Sequence, residues 1–479
     1  MDHDTDRDAR RGPDLAREFG PFDSTMMMVG IVIGSGIFLT TGLMAESLPS
    51  SSLILLAWLV GGLLTLAGAL TFAELGVLFP EAGGQYVYLR EAYGPMAGFL
   101  FGWILFLVSM SGSIAALGAA FAEYFGRFFP ALSTSRALIE LPLRIPGSDG
   151  TWTLTAGQLV AVLLILLFSA INYLGVGLGK RIQNGVTVVK IGSIFLIGVV
   201  GIVLARGPID LAVLPAGSGT GGLVAGFGMA LIMVSWGFDG WNNVTYFSGE
   251  IRDPERNLPR ALIGGTILIT LLYLLMNWFY LKAFTPAGMA GIVPIAERAT
   301  AAVMGEAAAS IVTVVVLISM LGALHGAIFA GARVYFAMAR DQLFFGSIGE
   351  VHPRFGTPAK AILWQGVWAG VLTLSGTFEQ LITFVMFVTI GFWIAATASV
   401  FTLRKKYPDR PRPYRTLGYP VVPLIFIVAS TGIMLNTILE RPVESLSGLA
   451  LAVLGIPIYH HWKSKKEGTM PAEGTDGDE

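Results

Sequence analysis

Three small residues in the first apolar stretch of the chain, Gly34-Ser35-Gly36, are placed where they could bind a ligand. They interrupt a run from about 24 to 47 that is long enough to cross a membrane. Each glycine costs a helix interior about 1 kcal/mol relative to alanine, so the helix is expected to break there. In lipid, a broken backbone is tolerated only where it is buried in protein or lines a cavity. The stretch alone fits a ligand cavity or, because small residues allow close approach, simple helix packing.

A second interruption lies in a later apolar run, within VSWGFDGWNNV at 234–244. Gly237 and Gly240 interrupt this run, and Asp239 puts an ionisable group inside it. The second break comes five spans after the first, and an odd-numbered repeat inverts topology. Paired glycine-interrupted spans at matching positions of two halves are the best sequence pointer to a transporter's binding site. The pair therefore favours the cavity.

The free backbone groups at such breaks indicate what the cavity could hold. The N–H groups of Ser35, Gly36 and Ile37 would carry the positive end of a half-helix dipole, which suits a carboxylate. The carbonyl groups from Ile31 to Gly34, and those at 236–239, would suit an ammonium or a metal cation. An α-amino acid carries both charges close together, so it is the small ligand that best matches these helix ends.

Composition sets the class of protein. The 479 residues are 54% hydrophobic and 13% charged, whereas a soluble protein carries about 25% charged residues. Repeated long apolar runs predict an all-α, polytopic membrane protein. The net charge of −1 implies no nucleic-acid partner, and the absence of cysteine excludes disulfides and thiolate metal sites. HExxH, GxSxG and Walker motifs are absent, so neither an enzyme nor a cofactor or metal site is expected.

The apolar pattern predicts twelve transmembrane helices. Their approximate limits are 24–47, 53–78, 96–126, 155–173, 182–205, 221–248, 260–283, 300–338, 360–376, 380–403, 420–439 and 446–462. With the N-terminus in the cytoplasm, 22 of the 31 Lys and Arg residues fall in cytoplasmic segments and seven in outer ones. Lys190 and Arg333 lie inside spans. By the positive-inside rule, this predicts a multi-pass protein of the plasma membrane with both termini cytoplasmic.

At this point a family resemblance becomes specific. The chain resembles the amino acid–polyamine–organocation superfamily and, within it, the L-type amino acid transporter group. Four stretches carry the resemblance in order and spacing: VGIVIGSGIF (29–38), FAELGVLFPEAGGQYVYLREAYGP (72–95), WGFDGWNNVTYFSGEIRDPERNLPRA (236–261) and ARDQLFFGSIGEVHPRFGTPAKA (339–361). The resemblance implies amino acid transport by alternating access. It also implies the LeuT-like fold of two inverted five-helix repeats, with spans 1 and 6 discontinuous.

This fold divides the chain into five parts. The expected division is a cytoplasmic tail at 1–20, a first inverted repeat at 21–206, a second at 219–404, spans 11 and 12 at 405–462, and a cytoplasmic tail at 463–479.

Two residues are expected to act in gating or coupling. The resemblance implies that Trp236 covers the substrate as a thin gate, and its place mid-span disfavours the usual interfacial anchor. Lys190 lies nine residues after Arg181, or roughly 13 Å into a membrane about 30 Å thick. A lysine this deep needs a partner or a water path, unless it snorkels to the surface. The resemblance implies that it bonds the broken first span where sodium sits in sodium-coupled relatives.

Other polar residues remain open to two interpretations. Asp239 departs from many family members, and it could bind the substrate amine or satisfy free N–H groups of the broken segment. Asn242 matches a family position that supports substrate binding. His325 fits a satisfied buried histidine or a pH sensor. Ser111 and Ser113 fit either a cavity-facing position or helix packing.

The residues at the two breaks predict a secondary transporter of small neutral L-amino acids, expected to be an exchanger, and the resemblance at Lys190 implies that transport is sodium-independent. An alternative is a proton-coupled transporter of cationic amino acids or polyamines, with Asp239 as counter-charge. A transporter-like amino acid sensor would bind without flux. No disulfide-linked heavy chain is expected, because the chain has no cysteine, and a monomer or weak homodimer is predicted.

Overall fold

The computed structural model describes residues 15–142, 152–209, 211, 220–374 and 378–467. Most of these residues are helical. The elements of the first half are α1 (Pro21–Val32), α2 (Gly36–Ser47), α3 (Ser51–Leu78), α4 (Gln85–Tyr93), α5 (Pro95–Ile104), a π-helical turn (Leu105–Ser109), α6 (Met110–Phe128), a 3-10 turn (Pro130–Leu132), β1 (Ala137–Leu141), β2 (Trp152–Thr155), α7 (Ala156–Tyr173) and α8 (Val176–Leu204).

The second half continues the helical pattern. Its elements are α9 (Thr220–Phe238), a 3-10 helix (Asn243–Glu250), α10 (Pro254–Ala283), α11 (Pro286–Met289), α12 (Ile295–Met304), α13 (Glu306–Arg340), a 3-10 turn (Gly346–Gly349), α14 (Ala359–Thr373), α15 (Phe378–Lys406), α16 (Val421–Glu440) and α17 (Pro442–Glu467).

Ten segments of the described chain are long and apolar enough to cross a membrane, which confirms an all-helical, multi-pass architecture. Helices α14 and α17 lie where the ninth and twelfth spans are predicted, but they are not among the ten. The count of twelve and the inverted repeat therefore stay predictions. The last helix runs to Glu467, so the boundary of the C-terminal tail at 463 falls inside a helix. Residues 1–14 and 468–479 of the predicted tails lie outside the described residues.

Both predicted breaks are present. Helix α1 ends at Val32 and α2 begins at Gly36, and Gly34 N–H turns back to the carbonyl of Val32 at 2.8 Å. Helix α9 ends at Phe238, and a turn through Gly240, at φ +89°, leads to the 3-10 helix. Only glycine adopts that φ at no steric cost, which is why the break occurs there.

The first broken segment forms the centre of the bundle. Helices α1 and α2 are apolar on all faces, and 94% of their most apolar window is buried. A helix that is apolar all round must be enclosed by other helices. Helices α8, α10 and α13 pack against α1, whereas α9 and α12 pack against α2. The site at the break is therefore enclosed by protein on every side.

The two ends of the bundle differ in charge, and we call the end that holds Phe19, Arg90 and Lys406 the basic end. Here Phe19 forms a parallel bridge with Ile251, which joins the start of α1 to the segment after the second break. At the opposite end, β1 and β2 form an antiparallel hairpin. The basic end is the one predicted to face the cytoplasm.

Candidate functional site

The two helix breaks meet in the middle of the bundle. A Cβ atom added to Gly36 would lie 2.5 Å from the Cα of Gly237, so the two backbones touch without a side chain between them. Glycine at this position permits that close approach. Nearby, Trp236 Nε1 donates a hydrogen bond to Ser35 Oγ at 3.2 Å, which fixes the indole across the first break.

A small cavity lies at this junction. Its lining consists of Ile31, Val32, Gly34, Ser35, Gly36, Met110, Ser113, Leu117, Trp236, Asp239, Gly240, Asn243 and Ala327. The space open to the centre of a water molecule is about 30 Å³, which is room for roughly two waters. An amino acid is larger than that. The lining must therefore separate, at Trp236 or elsewhere, before such a ligand can enter.

The first break contains backbone N–H groups that have no acceptor among the described residues. The N–H groups of Ser35, Gly36 and Ile37 donate to no acceptor in the part of the chain that the structure describes. Such unpaired N–H groups are a general property of the first turn of a helix. They form one positive pole at the cavity, as the sequence predicts for a carboxylate site.

The acceptors at the breaks are fewer than the sequence predicts. The carbonyl of Val32 accepts from Gly34 N–H, and that of Ile33 accepts from Lys190 Nζ. Among the described residues, the carbonyls of Ile31 and Gly34 have no donor. Two of the four carbonyls predicted at 31–34 thus remain for a ligand.

The second break is also partly occupied. The carbonyl of Trp236 accepts from Asp239 N–H, and that of Gly237 accepts from Tyr273 Oη at 2.9 Å. The carbonyl of Phe238 accepts from Trp241 N–H. Only the carbonyl of Asp239, of the four at 236–239, lacks a donor within the described residues. The second break therefore has fewer free carbonyl acceptors for an ammonium than the sequence predicts.

Lys190 lies behind the first break on α8. Its side chain is fully buried, and Nζ donates to the carbonyls of Gly30 at 2.8 Å and Ile33 at 2.9 Å. From α13, Ser319 Oγ also donates to the carbonyl of Ile33 at 2.9 Å. The lysine therefore does not snorkel to the surface. It holds the end of α1 from outside the cavity.

Asp239 projects a carboxylate into the cavity. Its Oδ2 accepts a hydrogen bond from Ser113 Oγ at 3.0 Å. Within the described residues, no lysine, arginine or histidine forms an ion pair with it. Asp239 is only partly buried, but a carboxylate inside a transmembrane bundle without a cationic partner is still costly, so this position favours a ligand or a proton that supplies positive charge.

Several residues proposed from the sequence lie outside the cavity lining. Ile37 presents its N–H at the start of α2, and Gly237 contributes the backbone that touches Gly36. Ser111 is buried on α6, two residues before the cavity-lining Ser113. These three residues bound the site rather than line it.

Asn242 and His325 form polar pairs away from the cavity. Asn242 Nδ2 donates to Gln85 Oε1 at 2.6 Å and to Tyr246 Oη at 2.9 Å. His325 Nδ1 pairs with Gln183 Oε1 at 3.1 Å, between α13 and α8. These contacts connect helices around the site, and the structure does not bring either side chain to the cavity.

Some cavity residues were missed from the sequence. Met110, Leu117 and Ala327 are apolar residues of long spans, and nothing in their local sequence distinguishes them from lipid-facing or core positions. Gly240 and Asn243 also line the cavity, and both lie in the glycine-interrupted stretch that indicated the second break.

Ion pairs close the bundle beyond both ends of the cavity. At the basic end, Arg333 and Glu250 are 0% and 1% exposed and pair at 2.7 Å. At the opposite end, Arg127 pairs with Glu297 and, at 3.0 Å, with the exposed Glu306. The cavity is thus covered on both sides.

The basic end has a second cluster around Arg90. Its guanidinium pairs with Asp341 at 2.5 Å and Glu81 at 3.2 Å. Burial lowers the pKa of Arg90, but the charges of Asp341 and Glu81 outweigh that effect and raise it above its ordinary value. This cation therefore stays charged at any physiological pH.

Comparison with known proteins gives a consistent result. A family model described as amino acid permease matches residues 19–456. The chain is 31% identical to the serine/threonine exchanger SteT of Bacillus subtilis over 94% of its own length and 98% of the relative's. It is 30% identical to the human large neutral amino acids transporter small subunit 2, over 95% and 82% of the two chains. It is 28% identical to the mouse b(0,+)-type amino acid transporter 1, over 93% and 88%.

Proposed function

Because the chain belongs to the amino acid permease family, we propose that it exchanges small neutral L-amino acids across the membrane without sodium. The observation that carries this proposal is the meeting of two broken helices at one cavity, with unpaired donors on one side and unpaired acceptors on the other. A similar protein is named a serine/threonine exchanger, which supports both the small substrate and the exchange mode.

The substrate would lie between the two poles of the cavity. Its carboxylate would accept hydrogen bonds from the N–H groups of Ser35, Gly36 and Ile37. Its ammonium would donate to the carbonyls of Ile31 and Gly34, and to Asp239 across the cavity. Trp236 would cover the bound molecule. This arrangement recognises the backbone of an amino acid and leaves its side chain toward Met110, Leu117 and Ala327.

The position of Lys190 supports the proposal of sodium independence. Its ammonium donates to Gly30 and Ile33 at the end of α1. The family resemblance implies that sodium-coupled relatives hold a cation in this region. A fixed ammonium would supply that charge permanently, so no sodium ion would be needed to order the first break.

Alternating access would use the ion pairs at the two ends. We propose that the basic end faces the cytoplasm, in accordance with the distribution of lysine and arginine. Opening toward the cytoplasm would then separate Glu250 from Arg333, and opening outward would separate Arg127 from Glu297. The chain would carry out no chemical reaction on its substrate.

One observation favours a second candidate function. The carboxylate of Asp239 faces the cavity, hydrogen-bonded to Ser113 but without a cationic partner among the described residues, and could receive the side-chain charge of a cationic amino acid or polyamine. In that case the chain would transport cations, with a proton or a neutral amino acid moving in exchange.

Uptake into proteoliposomes tests both candidates. Vesicles preloaded with serine should take up labelled serine much faster than empty vesicles, with equal rates in sodium and potassium buffers. A sodium requirement would refute the role proposed for Lys190. Uptake by empty vesicles that depends on a pH gradient and is strongest for lysine or a polyamine would favour the second candidate. Saturable binding without flux would indicate a sensor.

A further inference from the structure

An open groove of about 440 Å³ lies at the basic end, against the last turns of α15. Phe401, Thr402, Lys405 and Lys406 line it. We propose that this groove binds the phosphate headgroup of an anionic phospholipid in the leaflet at the basic end. The groove shares no lining residue with the substrate cavity, so the proposal does not depend on the transported molecule.

The order of residues along α15 matches the shape of a phospholipid. Phe401 and Lys405 are four residues apart, as are Thr402 and Lys406, so each pair is separated by about 6 Å along the helix axis. The aromatic turn lies nearer the middle of the span and the basic turn nearer its end. A phospholipid likewise carries its acyl chains on the membrane side of its phosphate.

An exposed tyrosine contacts α15 on the membrane side of the groove. Tyr93 is 46% exposed, and its hydroxyl donates to the carbonyl of Ala395 on α15 at 3.2 Å. Tyrosine is enriched where a membrane meets water. The position of Tyr93 therefore fits contact with lipid.

Lys405 and Lys406 both have N–H donors that no described residue accepts. Lys405 forms no ion pair or hydrogen bond with any residue in the described ranges, and Lys406 Nζ donates once, to the carbonyl of Glu91 at 2.8 Å. An ammonium has three donors, so Lys406 retains two. The neighbouring Arg404, by contrast, is committed to Glu74 at 2.7 Å. Of the three successive basic residues at 404–406, the two lysines therefore retain donors for a ligand.

Charge complementarity favours an anionic occupant. The stretch 404–415 carries six basic residues and a single acid, Asp409. Basic clusters directly beyond a transmembrane helix attract anionic lipids. A free phosphate would use the lysines but would leave the part of the groove beside Phe401 unfilled. A phospholipid fills both parts.

Native mass spectrometry of the detergent-solubilised full chain tests the proposal. The protein is titrated with dioleoylphosphatidylglycerol and, in parallel, with dioleoylphosphatidylcholine. The double variant Lys405→Gln/Lys406→Gln should bind the first phosphatidylglycerol about 25-fold more weakly than the unchanged protein. Lys405→Gln alone should weaken it about fivefold. This single variant keeps the Lys406–Glu91 contact, so its effect does not depend on a change in folding.

The matched control is Arg256→Gln/Arg260→Gln. These arginines are exposed at the basic end, on α10, and their removal changes the charge by the same amount. The control should bind phosphatidylglycerol as the unchanged protein does, and soluble glycerol phosphate should not compete at lipid concentrations. Unchanged binding by the double variant would overturn the proposal. So would an equal loss in the control, equal binding of phosphatidylcholine, or full competition by glycerol phosphate.

Discussion

The contact between Gly36 and Gly237 gives the sharpest test of the site. In Gly36→Ala, the new Cβ would lie 2.5 Å from the Cα of Gly237 and 3.1 Å from its nitrogen. Non-bonded carbon atoms prefer about 3.5–4.0 Å, so the two breaks must move apart by roughly 1 Å. The clash is with backbone, so no side chain can rotate away. Overpacking of this kind costs about 1–3 kcal/mol.

The expected functional loss follows from the same displacement. The donors at the start of α2 would move away from Trp236 and Asp239, so a substrate could not reach both poles at once. Gly36→Ala should raise the half-saturating substrate concentration for exchange in proteoliposomes at least tenfold, because each lost 1.4 kcal/mol is a factor of ten in affinity. Its melting temperature should also fall.

Two further glycines provide a graded comparison. In Gly34→Ala, the Cβ would meet Leu117 Cδ2 at 3.1 Å and Ala323 Cβ at 3.2 Å. Leu117 can shift, so an intermediate loss is expected. In Gly264→Ala, nothing lies within 4 Å of the new Cβ, so exchange should be unchanged. If Gly36→Ala exchanged substrate like Gly264→Ala, the two breaks would not form one binding site.

Three other substitutions test the surrounding network. Lys190→Met removes two hydrogen bonds from the ammonium to carbonyls at the end of α1, each worth about 1.5–3 kcal/mol. Exchange in proteoliposomes should therefore be lost. Exchange at the wild-type rate would contradict the proposal that Lys190 orders the first break. Asp239→Asn should weaken serine exchange, because it removes the charge of the carboxylate proposed to accept from the substrate ammonium, and preserved serine exchange with loss of competition by lysine would instead place the carboxylate on the side chain of a cationic substrate. Arg333→Met should destabilise the protein by about 3–5 kcal/mol in denaturant titrations, because it leaves Glu250 buried and unpaired. The double variant Glu250→Met/Arg333→Met should recover most of that loss, and simple additivity of the two single effects would argue against a direct pair.

The sequence identifies the breaks because glycine has local consequences. Glycine destabilises a helix wherever it occurs, and the two breaks contain Gly34, Gly36, Gly237 and Gly240. A broken helix in lipid must also be enclosed by protein. The depth of Lys190 in the membrane can also be predicted from the sequence, because the helix rise per residue converts residue number into distance. Both features depend only on nearby residues.

Side chains that reach the cavity from intact helices are harder to predict. The π-helical turn at Leu105–Ser109 inserts one extra residue into the span, which rotates the following residues by about 100° relative to a regular helix. Met110 and Ser113 then line the cavity, whereas Ser111 does not. The sequence of this turn contains neither glycine nor proline, so nothing local indicates the shift.

Asn242 illustrates a different limit. A polar residue beside a predicted break suggests a ligand contact, but its amide is used by Gln85 and Tyr246. Gln85 lies 157 positions earlier in the chain. Such a partner cannot be inferred from spacing, because only the folded bundle brings the two side chains together.

The bridge between Phe19 and Ile251 has a practical consequence for following the transport cycle. Glu18 and Phe19 both donate N–H groups to the carbonyl of Glu250, and Arg252 N–H donates back to Phe19. The basic ends of the two broken helices are therefore joined by backbone. Since the chain contains no cysteine, a pair of spin labels can be introduced without background. The distance between two labels placed on either side of the Phe19–Ile251 bridge should stay the same throughout turnover. This pair would therefore serve as an internal reference for other label pairs whose distance changes during transport.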